Sequence, residues 1–446
     1  MKRYLILICS LMVSSAYAQE RGLLTFSDAV KIALENNVIL KRQKNQLSSI
    51  QAQKLNAKAQ YLPSIGIQGS GSRNDGQQID PITGNGTNII SDNFSGSISA
   101  GYSLFSGFSR WNNLKASDAS FRSQTELAAR TSQDVIANVA NQFLQVLLDQ
   151  ELLKIAEANF ENQNNIMTQI QSQVDLGARP VADKYNQEAI VKNNEVQVLR
   201  AKNDLQNDNS LLSQILQLDP SQKYELVIPN WNVDELTNLD EDLDKLYEIA
   251  MNNRSDVKQL DYQTESARFN MKSAASGYFP SIDLFVSYGS QYFSVQDDPE
   301  AVSFNTQFFD LNPSLSYGFS FSIPIFDRLN TYSRRTTAKV NFQNSMNDFD
   351  NVKKTALIEV QRAYQNFQNA ILNYEATKIQ LQSAEFANDT QKESYSLGVA
   401  SLIELSQSNQ IYVQGLTDLA QAKYTLLFQN ILLNYALGTL KFEDIP

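Results

Sequence analysis

The chain has 446 residues, a formal net charge of −11, no histidine and one cysteine. Without histidine there are no imidazole zinc sites, no histidine-based triads and no usual base near neutral pH. The acidic balance disfavours nucleic acid as a partner, because that work needs a basic surface.

The chain opens with Lys2 and Arg3, an apolar run over 5–13 and Ala16-Tyr17-Ala18. This reads as a secretory signal peptide, 1–18, cleaved after Ala18. Losing Lys2 and Arg3 takes the net charge from −11 to −13. The lone Cys9 lies inside this segment, and Ile8 before it does not fit a lipoprotein signal. The mature chain is therefore expected to lack disulfides, thiolate metal sites and a cysteine nucleophile. No later segment approaches about 18 unbroken apolar residues, so no transmembrane helix is expected.

A short helix is predicted at 26–36, and a longer one ends near Gln60. Pro63 stops it, since proline cannot continue a helix and pushes its predecessor toward extended geometry. A strand starts at Ser64 with Ile65 and Ile67 on one side. A second places Phe94, Gly96, Ile98, Ala100, Tyr102 and Leu104 on one face and Ser95, Ser97, Ser99, Gly101 and Ser103 on the other. The polar stretch 73–92 is expected to be the long tip of this hairpin. From Ser109 to Leu176 there is neither proline nor glycine, which predicts a helix of about 100 Å at 1.5 Å per residue. A tight turn at Gly177 leads into a return helix over 181–218, about 57 Å long. Residues 224–228 form a candidate strand, and the acidic stretch 234–244 reads as a solvated loop and helix start, the two contributing to a belt around the long helices.

The second half repeats this plan. A helix at 243–253 precedes one ending near Gly277, before Pro280. Ile282, Leu284, Val286 and Tyr288 then share one strand face. Leu315, Tyr317, Phe319, Phe321 and Ile323 oppose Ser314, Ser316, Gly318, Ser320 and Ser322. The stretch 291–313 is expected to be a second polar tip. Residues 331–397 again lack proline and glycine, Gly398 makes the turn, and 402–439 returns.

Residues 32–65 align without a gap onto 249–282 with 11 identities in 34 positions, against about 2 expected from typical composition. A second window matches at a shift of 221: Val198, Ala201, Leu205, Leu212 and Leu216 fall on Leu419, Ala422, Leu426, Leu433 and Leu437. Both stripes have the spacing of a coiled-coil seam. The chain thus reads as two internal structural repeats, 19–230 and 231–446. Aromatic residues at the helix-side ends of the strands (Tyr61, Phe105, Phe108, Trp111, Tyr278, Phe279 and Phe326) fit an interfacial girdle or ordinary packing.

Strands of about 10 residues that alternate apolar and small polar faces suit a membrane barrel. They also suit a half-buried hairpin in a soluble domain. The matched hairpins behind a signal peptide favour the membrane. Four strands cannot close a barrel, which needs about eight or more, so several chains must contribute; three give twelve. The predicted fold class is an α+β membrane protein, with a long antiparallel coiled-coil α-helical barrel continued by a β-barrel. The alternative is a surface-exposed structural or adhesive coiled-coil protein without channel activity.

The two-copy plan, Tyr61-x-Pro63-Ser64 and Tyr278-x-Pro280-Ser281 ahead of the strands, and the paired turns resemble TolC-like outer-membrane efflux proteins. The turns read Val174-Asp175-Leu176-Gly177-Ala178-Arg179-Pro180-Val181-Ala182-Asp183 and Tyr395-Ser396-Leu397-Gly398-Val399-Ala400-Ser401-Leu402-Ile403-Glu404. The ending Ala436-Leu437-Gly438-Thr439-Leu440 is also typical. The resemblance implies a homotrimer in outer-membrane lipid, extending into the periplasm. It also implies a periplasmic adaptor (membrane fusion) protein and an inner-membrane transporter as partners. The turns would be the periplasmic entrance and adaptor-docking site, comprising Gly177, Ala178, Arg179, Asp183, Gly398, Val399, Ala400 and Glu404. Members often carry a further acid three positions on; here Asn186 and Gln407 stand there, which weakens the case for a dense acidic ring. Acids in a first helical turn also favour the macrodipole whatever lies nearby. No metal, phosphate or nucleotide motif is visible, so neither a cofactor nor enzymatic chemistry is expected.

Overall fold

The computed structural model describes residues 22–79, 84, 86–219, 224–229, 231, 233, 236 and 242–442. The proposed signal peptide and Cys9 lie outside the described residues. In chain order the elements are β1 (Gly22–Leu24), α1 (Phe26–Asn36), α2 (Val38–Ala59), β2 (Ser64–Ile79), β3 (Gly86–Ser106), α3 (Ser109–Asp175) and α4 (Val181–Leu216). They continue with β4 (Tyr224–Leu226), α5 (Leu243–Asn253), α6 (Ser255–Ala274), β5 (Ser281–Val295), β6 (Ser314–Ser322), α7 (Asn330–Ser396) and α8 (Leu402–Leu437). Helices α1 and α5 start 217 positions apart, whereas α3, α4, α7 and α8 keep an offset of 221 at both ends.

Two compact units result, and each draws on both halves of the chain: 1–42, 129–254 and 355–446 in one, 43–128 and 255–354 in the other. Helices α3 and α7 start in the second unit and end in the first.

The first unit holds the main apolar cluster. Phe26, Val30 and Ala33 of α1, Val139, Phe143 and Leu147 of α3, Leu212 and Leu216 of α4, and Leu246 and Ala250 of α5 are buried together. Val360 and Phe367 of α7 and Leu426 and Leu433 of α8 complete it. Phe26 packs on Phe143 and Trp231 at 5.2 and 5.5 Å between ring centres. Thr25 starts α1 by accepting the Asp28 N–H at 3.1 Å, and Asp242 does the same for the Asp244 N–H of α5 at 3.2 Å. These caps satisfy backbone donors that a helix start leaves open. The candidate strand at Tyr224 is β4, and its partner is a strand the sequence did not reveal: β1 pairs with it in parallel, Leu24 opposite Leu226.

Arg254, only 1% exposed, ties this unit at the end of α5. Its Nη1 donates to the Ala436 carbonyl at 3.0 Å and its Nη2 meets Glu359 Oε2 at 2.6 Å. Gly438, which ends α8 at φ +73°, lies so close that an added Cβ would sit 2.8 Å from the Arg254 N and Cα atoms.

The second unit is built on one antiparallel sheet of order β2-β3-β5-β6. Its register keeps apolar and small polar residues on opposite faces. Ile67, Ile98 and Tyr288 line up across three strands, and Gln68, Ser97 and Gly289 line up beside them. The expected polar tips differ from the structure. Residues 73–79 and 86–92 are paired strand, with Arg73 opposite Asp92 and Ile79 opposite Gly86, because hairpin pairing satisfies the backbone that a loop would leave to water. In the second tip β5 continues to Val295, and Thr306–Leu311 forms a π-helical turn rich in phenylalanine.

Polar side chains join the helices of this unit. Lys54 of α2 meets Asp118 of α3 at 2.6 Å, and Arg122 pairs with the same carboxylate. The Lys54 ammonium, with Arg122, holds the Asp118 carboxyl below its ordinary range. Among the described residues no helix is long and apolar enough to cross a membrane.

Candidate functional site

Both turns close by the same chemistry. At the end of α3 the Gly177 N–H donates to Val174 O at 2.9 Å and the Ala178 N–H to Gln173 O at 2.8 Å. At the end of α7 the Gly398 N–H reaches Tyr395 O and the Val399 N–H reaches Ser394 O, both at 3.0 Å. These pairs satisfy carbonyls left open by the last helical turn, and they require a left-handed residue. Gly177 and Gly398 both have φ +73°.

The first turn carries an ion pair: Arg179 Nη1 lies 3.5 Å from Asp183 Oδ2. The same guanidinium sits over the ring of Tyr395, 5.1 Å from its centre, at the end of α7. Arg179, Asp183 and Tyr395 therefore form one cluster joining the two helical hairpins. Tyr395 was read from the sequence as the start of the second turn but was not named among the site residues, because nothing local to it points to Arg179.

Glu404 does not join this cluster. It folds back to receive the Ser401 N–H at 2.7 Å and the Ser401 hydroxyl at 2.9 Å, while its own N–H donates to Ser401 Oγ at 3.3 Å. This is a reciprocal capping box, and the Ser401 N–H followed by its hydroxyl holds the Glu404 carboxyl below the usual range. The signal was in the sequence as Ser401-x-x-Glu404. Pro180 takes the matching position before α4 and makes no side-chain cap, which leaves Asp183 free for Arg179.

Gly177, Ala178, Gly398 and Val399 are exposed, and Ala400 is half-buried. Around them Leu176, Val181, Leu397, Val399 and Ile403 present apolar side chains to solvent, Val399 at 82% exposure. An apolar cluster at the tip of a helical hairpin is a common mark of an interaction surface.

Above the turns, amides share the packing with a few buried apolar side chains, among them Ile170, Val191 and Leu405. Asn159 of α3 donates to Asn194 of α4 at 2.7 Å and accepts from Asn409 of α8 at 2.9 Å; Asn162 donates to Asn409 at 3.1 Å. Buried Gln187 donates to Gln163 at 2.8 Å. The main apolar cluster contains no residue between 149 and 204 or between 375 and 423. At the upper margin of this seam Asp149, 5% exposed, accepts from Gln145 at 3.1 Å, while its second oxygen has no hydrogen-bond partner. Burial, then the adjacent Asp208, raises the Asp149 carboxyl to about 7.

The sheet offers a second functional surface. Its polar face is lined by Gln68, Ser70, Ser95, Ser97, Ser287 and Ser316, and Ser70 and Ser95 share a hydrogen bond at 2.8 Å. On the opposite face Ile67, Tyr288, Leu315, Tyr317 and Phe319 are exposed. At the helix-side end Phe105, Phe108 and Phe279 stack edge to face at 5.1 and 5.7 Å, and Arg110 lies over Tyr61.

A family model described as outer membrane efflux protein matches residues 29–216 and 246–439. The outer membrane protein TolC of Escherichia coli strain K12 is 23% identical over 390 residues, covering 87% of this chain and 77% of TolC. Two solved structures share the fold at a TM-score of 0.79. CusC is 19% identical, with 96% of this chain and 95% of that one covered. The CmeC outer membrane channel of Campylobacter jejuni is 18% identical, with 93% and 85% covered. With the family model spanning most of its length, this chain belongs to the outer membrane efflux protein family.

Proposed function

We propose that three copies of this chain assemble into one outer-membrane channel, a twelve-stranded β-barrel continued by an α-helical tunnel, through which substrates leave passively. The observation that carries this is the sheet: four strands, all antiparallel, with one apolar face and two open edges, β2 and β6. Open edges in lipid leave unpaired backbone groups, so a sheet of this kind must close on itself or on copies. Because the strands alternate in direction, β6 of one copy meets β2 of the next antiparallel, and head-to-tail addition forms a ring. The two series of helices and strands read as repeats, 19–230 and 231–446, that place two helical hairpins per copy in the tunnel wall.

The paired turns are the periplasmic entrance. Gly177, Ala178, Arg179, Asp183, Gly398, Val399, Ala400 and Glu404, with their exposed apolar neighbours, dock a periplasmic adaptor that links the channel to an inner-membrane transporter. The cluster of Arg179, Asp183 and Tyr395 holds the two hairpins of one copy together at rest. The mature chain begins at Gln19 once the signal peptide is removed.

Mass measurement in detergent should give three chains per particle; a stable monomer with no larger species refutes the barrel. Topology is tested by cysteine labelling, clean in a mature chain without thiols. An impermeant reagent on intact cells should label Gly84→Cys and Asp298→Cys and spare Ala178→Cys and Val399→Cys. The reverse pattern overturns the orientation. In planar bilayers the purified protein should conduct ions, which separates a channel from a surface adhesin.

A further inference from the structure

We propose that residues 302–311 are a lipid anchor, seating the outer rim of the sheet among the acyl chains of the outer leaflet. This rests on the reading of the sheet as a barrel wall.

The segment ends just before β6 begins. Pro313 has no N–H to give a ladder, and β6 starts only at Ser314, so residues 290–295 of β5 have no β6 partner. Side chains take that place. Gln307 accepts the Phe293 N–H at 3.2 Å through Oε1 and donates to the Phe293 carbonyl at 2.8 Å through Nε2. Asn312 donates to the Gln291 carbonyl at 2.7 Å. The amide of Gln307 thus does what an opposing strand residue would do. With that edge occupied, a neighbouring strand cannot pair along it.

The rest of the segment lies on the apolar face. Phe304 and Phe308 stack at 5.1 Å with an interplanar angle of 10°. Phe304 packs on Tyr292 at 5.1 Å, and Phe308 packs on Phe94 at 5.3 Å. Phe308 also reaches over Gly96, where a Cβ would meet the ring at 3.1 Å. Phe94, Gly96 and Tyr292 share the face of Ile98 and Tyr288, not that of the serines. Phe309 and Leu311 then remain 65% and 64% exposed.

Depth identifies the occupant. From Phe94 to Leu104 the strand covers about 34 Å, or about 25 Å of height once tilted, which matches the apolar band of a membrane barrel. With Phe105, Phe108 and Phe279 at one boundary of that band, the phenylalanine cluster falls at the other. Just beyond it the same face turns charged, where Arg73 pairs with Asp92 at 2.7 Å. Aromatic side chains concentrate at such boundaries. The apolar belt therefore runs unbroken into this cluster, and the medium covering the belt covers it too.

Tryptophan quenching tests the anchor. With Trp111 and Trp231 replaced by phenylalanine, Phe309→Trp and Tyr317→Trp are compared as the assembled protein in phosphatidylcholine liposomes carrying bromine at shallow or deep acyl positions. Phe309→Trp should lose more emission to shallow bromine, and Tyr317→Trp, in the middle of the belt, more to deep bromine. Quenching of Tyr317→Trp without any quenching of Phe309→Trp overturns the anchor and means that a neighbouring copy or solvent covers it. Equal response of both to deep bromine overturns the placement at the rim. If Tyr317→Trp is quenched by neither lipid, the barrel reading itself fails.

Discussion

Gly438→Ala and Gly398→Ala separate two costs that are usually confounded. Both glycines have φ +73° and both end a long helix. An alanine at either position bears a left-handed backbone, about 1–2 kcal/mol. At 398 nothing lies within 4 Å of the new methyl, so that cost stands alone. At 438 the methyl meets Arg254 N and Cα at 2.8 Å and Asn253 C at 3.0 Å, backbone atoms that no rotamer change can move. Overpacking of this kind adds about 1–3 kcal/mol, for a total of about 2–5 kcal/mol. Displacing Arg254 would also disturb its bonds to Ala436 and Glu359, which act in the same direction. Thermal unfolding followed by circular dichroism at one scan rate should rank the wild type above Gly398→Ala, and Gly398→Ala clearly above Gly438→Ala. Equal midpoints for the two variants would refute the steric argument and leave the backbone angle as the whole effect.

Gln217 stands 221 positions before Gly438 and is also left-handed, at φ +54°. Gln217→Gly should therefore leave the melting midpoint unchanged or raise it, gaining under about 1 kcal/mol as relief of strain is offset by glycine's chain entropy. Asp149 is raised to about 7 from an ordinary carboxylate value. Its folded form prefers the proton, so its stabilising contribution is full in acid and is lost as pH rises through about 7. Asp149→Asn should flatten the fall of the melting midpoint over that window, and an unchanged pH profile would count against the shift. In a double-mutant cycle, Arg179→Ala and Tyr395→Ala should couple by about 0.5–1 kcal/mol, the worth of an exposed cation–π contact. Either variant alone should raise open-channel conductance in bilayers, and strict additivity would show that the contact links nothing.

Period and punctuation made most of the fold legible. The helices at 26–36 and 243–253 fall where the sequence puts them, because capping residues and apolar spacing act locally. The turns were legible for the same reason, since a glycine between two uninterrupted helical stretches leaves few alternatives. Pairing at a distance was not. β1 is three residues long and acquires its identity only from β4, two hundred positions away. The polar stretch after Ser72 carries no apolar alternation, yet it continues the ladder because its backbone is already held in register by the residues before it. At the site, Arg179 was named as one of a group, while its contact with Tyr395 depends on two hairpins meeting. Glu404 was read as lining an entrance, although Ser401 three positions earlier already offered it a local partner.

The amide seam above the turns bears on temperature as well as geometry. Heat-capacity change follows the apolar surface exposed in a transition, with polar surface acting in the opposite sense. A rearrangement confined to the tips would uncover Asn159, Asn194, Asn409 and Gln187, whose hydrogen bonds water can replace, and little of the cluster around Phe143. Such a rearrangement also uncovers Ile170, Val191 and Leu405, but far fewer apolar side chains than the main cluster holds, so its van't Hoff line curves only weakly. Dismantling the cluster gives a strongly curved one. The same chain therefore carries two thermal signatures, one for moving its tips and one for losing its fold.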